Sequence, residues 1–293
     1  MSRSHRGTIF VEDAEVISQT AFAERQFIMR VRAPRCAQRA RAGSFAHVTC
    51  DPAVPMRRPL SIMRADPEDG WIEFLYKIVG EGLRHLASRR PGDTLNILGP
   101  IGKPFAPDKA RSRPLLIGGG VGIPPMVFLA EALSKDLPGH EPLVIMGSEI
   151  PFPFTEARSV LAVAGIDPGM NACMPLLEKW GVASRLTSLQ GYPHCFKGYV
   201  TDLARKWLDA LGKGELGQVQ IFACGPTPML RAVAELAQEY ELPCQVSLEE
   251  YMACAVGGCA GCTVLVRTAE GPAMKRVCVD GPVFEASTVF AAD

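Results

Sequence analysis

The 293-residue sequence predicts a multidomain protein: an antiparallel β-barrel over 1–108, an α/β domain with a parallel sheet over 109–243, and a small C-terminal cysteine domain over 244–293. Three observations carry this. Short β-rich segments punctuated by Pro and Gly fill the first third. The middle alternates short apolar runs with helical ones. Near the end, Cys254, Cys259, Cys262 and Cys278 follow the pattern C-x4-C-x2-C, with the fourth cysteine sixteen residues after the third.

In the first region, strands are predicted over 11–17, 27–31, 45–48, 71–79 and 94–98, with one short helix over 81–89. Pro52, Pro55, Pro67, Asp69-Gly70 and Pro91-Gly-Asp93 mark turns between them. Arg57-Arg58-Pro59-Leu60-Ser61-Ile62 stands out, because a cation beside a rigid proline and a hydroxyl can grip a phosphate. A plain surface Arg-Pro turn is the competing reading.

The middle opens on Arg113-Pro-Leu-Leu-Ile-Gly118-Gly-Gly120-Val-Gly122-Ile-Pro124-Pro. This reads as a buried strand over 115–117, a glycine turn, and a helix whose first turn accepts proline. A strand feeding such a turn into a helix N-terminus suits an anion such as a pyrophosphate. A ligand-free βα turn is the alternative, since strict G-x-G-x-x-G is absent. Further elements are expected as a strand over 143–146, a helix over 155–164, a strand over 172–175 and a helix over 200–211. Gln220-Ile-Phe-Ala-Cys224-Gly225-Pro226 then reads as a strand and small-residue turn before a helix over 228–238. Ligands of such sheets bind at the C-terminal strand ends, where Gly118–Gly122 and Cys224–Pro226 both fall. Cys224 is either a small structural residue or a thiol beside a reactive ring.

The cysteine spacing is that of plant-type [2Fe–2S] ligands. Three thiolates within nine residues require small spacers, and Ala, Val and Gly supply them. Gly257, Gly258 and Gly261 can take positive φ without steric cost, leaving N–H groups to point at sulfur. Disulfides, a four-cysteine zinc site and unliganded core cysteines are the alternatives.

The bulk numbers exclude several classes. Net charge is zero, so nothing favours nucleic acid. Ten cysteines in this length are too few for a disulfide scaffold. Residues 1–7 show no apolar leader, and 115–133 is too rich in Gly and Pro for a bilayer helix, so a cytoplasmic location is expected. His5, His47, His85, His140 and His194 are scattered and read as surface or satisfied histidines. Glu249-Glu250 reads as a solvated or capping pair.

The order of Arg-Pro-x-Ser, glycine turn, Cys-Gly-Pro turn and cysteine loop resembles the ferredoxin–NADP reductase superfamily. Within it, 7–284 resembles the iron–sulfur flavoprotein electron-transfer subunits of two-subunit, NAD-dependent dihydroorotate dehydrogenases. The most specific stretches are Met252-Ala-Cys254…Gly-Cys259-Ala-Gly-Cys262 and Arg276-Val-Cys278-Val-Asp280-Gly281-Pro282-Val-Phe284. The resemblance implies that Arg58, Pro59, Leu60 and Ser61 hold FAD, with Arg58 at the diphosphate and Ser61 at the ring as a catalytic residue. Leu75, Tyr76 and Lys77 would line the flavin, and Gly82 would face the diphosphate. Leu83 stands where the family carries Thr or Ser, which removes one hydroxyl contact. Gly99–Gly102 would link out of the barrel. Gly119, Gly120, Gly122 and Pro124 would face the dinucleotide, with Cys224 (the second catalytic residue), Gly225 and Pro226 near the nicotinamide. Cys254, Cys259, Cys262 and Cys278 would bind [2Fe–2S].

The implied function is a relay in pyrimidine biosynthesis. An FMN-containing catalytic partner, in a heterotetramer of two of each chain, takes electrons from dihydroorotate. They pass singly through [2Fe–2S] to FAD and leave as a hydride on NAD⁺. NAD is expected over NADP because Glu149 follows the strand at 143–146. Two rivals stand beside this: an iron–sulfur flavoprotein subunit of a hydrogenase or ferredoxin-dependent transhydrogenase, and a non-catalytic zinc-stabilised interaction protein.

Overall fold

A computed structural model describes residues 7–290. The reading of the first six residues, His5 included, lies outside that range. The barrel strands are β1 (Phe10–Phe22), β2 (Gln26–Arg32), β3 (Phe45–Val48), β4 (Arg58–Asp66), β5 (Trp71–Lys77) and β6 (Thr94–Ile101). They close antiparallel in the order β1-β2-β5-β4-β3-β6. Alternation buries Ala14, Val16, Met29, Val31, Ile62, Ile72, Phe74 and Ile97 inside. Two short helices, α1 (Pro34–Arg39) and α2 (Glu81–Ala87), lie between strands.

β4 corrects the Arg-Pro turn reading: Arg58-Pro59 opens a nine-residue strand. Proline is tolerated because Pro59 pairs only with His47 of β3, and the ladder to β5 starts at Ile62.

The second sheet contains β7 (Arg113–Gly119), α3 (Ile123–Asp136), β8 (Leu143–Gly147), β9 (Ala157–Arg158), β10 (Ala172–Cys173), α4 (Pro175–Lys179), β11 (Ala183–Thr187), α5 (Val200–Asp209), α6 (Lys213–Leu216), β12 (Val219–Cys224), α7 (Thr227–Glu239) and β13 (Cys244–Ser247) among its strands, covering helices and excursions. A hairpin follows, β14 (Thr263–Thr268) with β15 (Gly271–Arg276), then β16 (Val283–Glu285) and α8 (Ala286–Val289). The main sheet runs β11-β8-β7-β12-β13-β16, parallel except for β16. Strand order therefore reverses between β7 and β12, the topological switch point where such sheets bind ligands. β13 and β16 extend this sheet, so the chain beyond 243 is built into it and the cysteine loop is anchored at both ends.

Two expectations in the middle region fail. No helix forms over 155–164, and 172–175 is not a strand of the main sheet. Instead β9 and β10 make a small antiparallel pair, and α4 starts at Pro175. Ser159 and Val160 are held by Glu178: its carboxylate accepts from Ser159 Oγ and from the Val160 N–H, both at 2.9 Å. Such side-chain bonds offer the backbone an alternative to a helix. β11, which carries this excursion back to the sheet edge, was not anticipated.

Candidate functional site

On the barrel, β4 and α2 bring Arg58 and Gly82 together. A Cβ on Gly82 would lie 3.0 Å from Arg58 Nε. The two adjacent arginines have different tasks. Arg57 donates to the carbonyls of His47 and Asn96 at 3.2 and 3.1 Å, and to the Asn96 side chain. Arg58 reaches only backbone carbonyls, Met56 at 2.6 Å among them, and pairs with no carboxylate among the described residues. Ser61 and Lys77 are half-buried, while Leu60 and Leu75 are buried. Tyr76 is 1% exposed, stacks on Phe27 and donates its hydroxyl to Gln19 at 2.7 Å. Its ring therefore belongs to the barrel wall. Leu83 is buried in the barrel core, which gives the departure from Thr or Ser a packing role.

At the switch point the two predicted turns interlock. Cys224 of β12 lies in register with Gly118 of β7. A Cβ on Gly122 would fall 2.2 Å from the Cys224 carbonyl oxygen, and one on Gly119 would fall 2.5 Å from Met229 Sδ. Gly225 is closed in by Met229 and Gly119. Gly120 instead has φ +55 with open space beside it. Pro124 is buried in the first turn of α3, and Pro226 is exposed before α7. Most of these glycines thus let two loops touch, and Gly120 leaves an open edge. The Cys224 side chain is fully buried. Burial, then the Glu249 charge, pushes its thiol well above the ordinary range, while a hydrogen bond with Ser247 pulls the other way. It stands there as a neutral S–H. Met229 and Ser247 went unnoticed in the sequence, because only the fold brings them beside Cys224.

The cysteine loop, 249–262, has no regular secondary structure. The β14–β15 hairpin brings its end to the fourth cysteine: Cys262 precedes the hairpin, Cys278 follows it, and the Val277 N–H donates to the Cys262 carbonyl at 2.9 Å. The Cys259 N–H points at Cys254 Sγ and the Gly261 N–H at Cys259 Sγ, both at 3.4 Å. Burial alone would raise the Cys254 thiol, but N–H groups of Cys259, Val256 and Gly258 outweigh it and bring it down to about 7. Burial and the neighbouring Cys262 push Cys278 up to about 12. Of the three glycines able to take positive φ without steric cost, only Gly257 adopts it; Ala255 and Ala260 take the other left-handed positions. Gly261 instead leaves room at the sulfur, its would-be Cβ 3.6 Å from Cys259 Sγ. Arg276 staples the loop. It donates to the Gly257 carbonyl and to Asp280, both at 3.0 Å. Paired thiols with N–H groups aimed at sulfur fit an iron–sulfur cluster.

The loop also meets the barrel. A cavity of about 410 Å³ lies between them, lined by His47, Met56, Arg57, Ala253 and Cys254 among others. His47 departs from expectation: it is 1% exposed, and neither ring nitrogen has a hydrogen-bond partner. Burial, then Arg57, lowers its pKa, so the ring is neutral. The closing signature is tied in as well, through Lys103 N–H to the Gly281 carbonyl at 2.6 Å. Gly102 has no room for a side chain there, since a Cβ would lie 2.4 Å from Pro282 Cδ.

A closed antiparallel barrel beside a parallel sheet with a glycine-lined switch point defines a ferredoxin reductase-like flavoprotein fold. A solved NADH-dependent reduced ferredoxin–NADP oxidoreductase superimposes with a TM-score of 0.76 at 26% identity, over 95% of this chain and 90% of its own. A ferredoxin reductase of carbazole 1,9a-dioxygenase shares the fold at 20% identity and a TM-score of 0.61, over 80% of this chain and 67% of its own. Residues 249–290 match the iron–sulfur cluster binding domain of dihydroorotate dehydrogenase B. The electron transfer subunit of dihydroorotate dehydrogenase B (NAD(+)) from Bacillus caldolyticus is 33% identical over 95% of this chain and 98% of its own length. The subunit of the same name from Streptococcus mutans is 32% identical over 96% and 99%. The chain belongs to the family of dihydroorotate dehydrogenase B electron transfer subunits.

Proposed function

We propose that this chain is the electron-transfer subunit of an NAD-dependent dihydroorotate dehydrogenase, linking a catalytic partner that oxidises dihydroorotate to NAD. The observation that carries it is the three-cysteine loop brought to Cys278 on a reductase fold by the hairpin and the Arg276 staple. Bound FAD and [2Fe–2S] supply the interchange between the hydride of a nicotinamide and single electrons. Arg58 beside Gly82 grips the FAD diphosphate. Ser61, Leu60, Leu75, Lys77 and the backbone of Pro59 and Tyr76 border the ring, and Gly82 and Leu83 close that end. The open edge at Gly120, with Gly119, Gly122, Pro124, Gly225 and Pro226, receives the dinucleotide. The fully buried Cys224 thiol stays neutral behind the turn, and Cys224 meets the nicotinamide end only through its backbone. Cys254, Cys259, Cys262 and Cys278 ligate the cluster.

Glu149 supports NAD over NADP. It lies just past β8 at the edge that holds the switch point, fixed by the Leu189 N–H at 3.5 Å and Gln190 at 3.4 Å, where its charge opposes a 2′-phosphate. Around Cys254 the side chains of Tyr251, Met56 and Val256 are 96%, 53% and 48% exposed. An apolar rim at the cluster suits docking of the FMN-containing catalytic subunit, in a heterotetramer of two of each. The resemblance to the ferredoxin–NADP oxidoreductase rests on fold at lower identity, whereas the match of the cysteine domain favours dihydroorotate oxidation. The test is to isolate the chain with its natural partner and measure dihydroorotate-dependent NAD⁺ reduction. Turnover with an FMN-bearing partner is the expected result. A partner that holds nickel, or that leaves dihydroorotate untouched, overturns the reading.

A further inference from the structure

The seam between barrel and sheet holds a directional ion pair. Arg64 lies on β4, three residues after Ser61, and Glu131 lies on α3, nine residues after Gly122. They meet as a two-point pair, Nε to Oε2 at 3.2 Å and Nη2 to Oε1 at 3.1 Å. Glu131 is 5% exposed and also accepts from Lys135 at 2.9 Å. The guanidinium lies 5.3 Å from the Trp71 ring, on barrel strand β5, and 5.2 Å from the Trp180 ring, just after α4. Groups from both domains therefore hold Arg64 at once. The surrounding contact is apolar: Ile62 and Met63 share a core with Met126, Val127 and Ala130. Apolar packing is non-directional and sets no register by itself. A planar fork against a carboxylate does.

We propose that Arg64 is a positioning residue for hydride transfer, clamping β4 to α3 so that the flavin edge at Ser61 and the dinucleotide turn at Gly119–Pro124 keep one separation. This rests on the function proposed above. The step it serves would break an N–H bond of reduced flavin and form the C4–H bond of NADH, and reduction of the flavin by NADH is the same step reversed. The hydride carries both electrons, so NADH becomes NAD⁺ as the flavin is reduced. A shift of about 1 Å in such a geometry costs on the order of 100-fold in rate.

The experiment compares Arg64→Met, Arg64→Lys and the near-isosteric Glu131→Gln with the parent protein. Two readouts are used. The first is hydrogen exchange of the β4 and α3 amides without nicotinamide. Faster exchange there, with the 263–276 hairpin unchanged, is expected. The second is stopped-flow flavin reduction by NADH. The limiting rate should fall about 10- to 100-fold in Arg64→Met and remain low in Arg64→Lys, whose point charge does not replace the fork. Half-saturation by NADH should change less than about twofold and flavin content stay that of the parent, the pattern of an interaction acting at the transition state. An unchanged limiting rate in flavin-loaded Arg64→Met, or unchanged exchange at the seam, overturns the proposal. So does loss of flavin with an unaltered rate per bound flavin, which marks a purely structural role. If Arg64→Met does not fold, Glu131→Gln decides by the same criteria. Failure of the functional reading looks different: the parent protein is then not reduced by NADH at all.

Discussion

Two of the four candidate ligand cysteines differ sharply as acids. Cys254 is only partly covered and has N–H groups turned toward its sulfur, so its thiol sits at about 7; Cys278 is 1% exposed and sits at about 12. A thiolate is the nucleophile. In cluster-free protein, iodoacetamide should therefore label Cys254 with a half-maximal rate near pH 7 and leave Cys278 unmodified over pH 6–8. Peptide mass spectrometry of timed samples reads this directly, and equal labelling of both would contradict the hydrogen-bond account. At this scale the identity of the candidate ligands was legible, because spacing alone marks them. The backbone that presents them was not. Three glycines could take left-handed φ without steric cost, yet Ala255 and Ala260 adopt it, because the surrounding fold over-determines the loop. Arg276 was noticed only as part of a signature. Its task needs the hairpin, which brings it to Gly257 across nineteen positions of sequence.

At the scale of elements, the two turns at the switch point act as one unit because their backbones touch. Gly122→Ala would set a Cβ 2.2 Å from the Cys224 carbonyl oxygen, so β7 and β12 must part at their ends. Gly120→Ala meets nothing within 4 Å and suffers only the left-handed backbone, about 1–2 kcal/mol. NAD⁺ titration of oxidised, flavin-loaded protein by calorimetry should show Gly122→Ala weakened at least about 10-fold, the equivalent of 1.4 kcal/mol. Flavin content should hold, since Arg58 and Gly82 lie on the barrel. If Gly120→Ala is the more damaging of the two, the glycines serve ligand approach rather than loop contact. The βα rhythm around these turns was readable in the sequence, as were α3, α5, α7 and most barrel strands. Where reading failed, non-local partners decided. β4 is a strand because β3 and β5 pair with it, despite Pro59. The 155–164 segment forms no helix because Glu178, some twenty residues on, satisfies Ser159 and Val160.

Across the whole molecule, domain division is weaker than the sequence suggests. One apolar core runs from the barrel interior through Ile62 and Phe74 to α3, and a second joins Phe45 and Ile101 to the sheet and to Cys262 and Cys278. Gln26 of β2 donates to the Pro151 carbonyl at 2.7 Å across the first seam, and Gln245 of β13 accepts from the Ala106 N–H at 2.9 Å across the second. Barrel, sheet and cysteine loop are thus expected to unfold together, and acid weakens the seam through the buried charge between them. Burial alone would raise the Glu131 carboxyl, but Arg64 and Lys135 outweigh it and hold it below the ordinary range. Its folded pKa is therefore lower than the unfolded value of about 4.3. The stability it contributes is complete above that value and is lost as pH falls through the folded pKa. Glu131→Gln, which leaves Arg64 facing a neutral amide, should cost on the order of 2 kcal/mol at pH 7. The gap between variant and parent should stay constant down to about pH 5 and close below about pH 4. Urea unfolding of both proteins from pH 3 to pH 8, followed by Trp fluorescence, measures that gap. A gap that widens in acid would mean the carboxylate is not held by its cations, and the ion pair would then not be what fixes the seam.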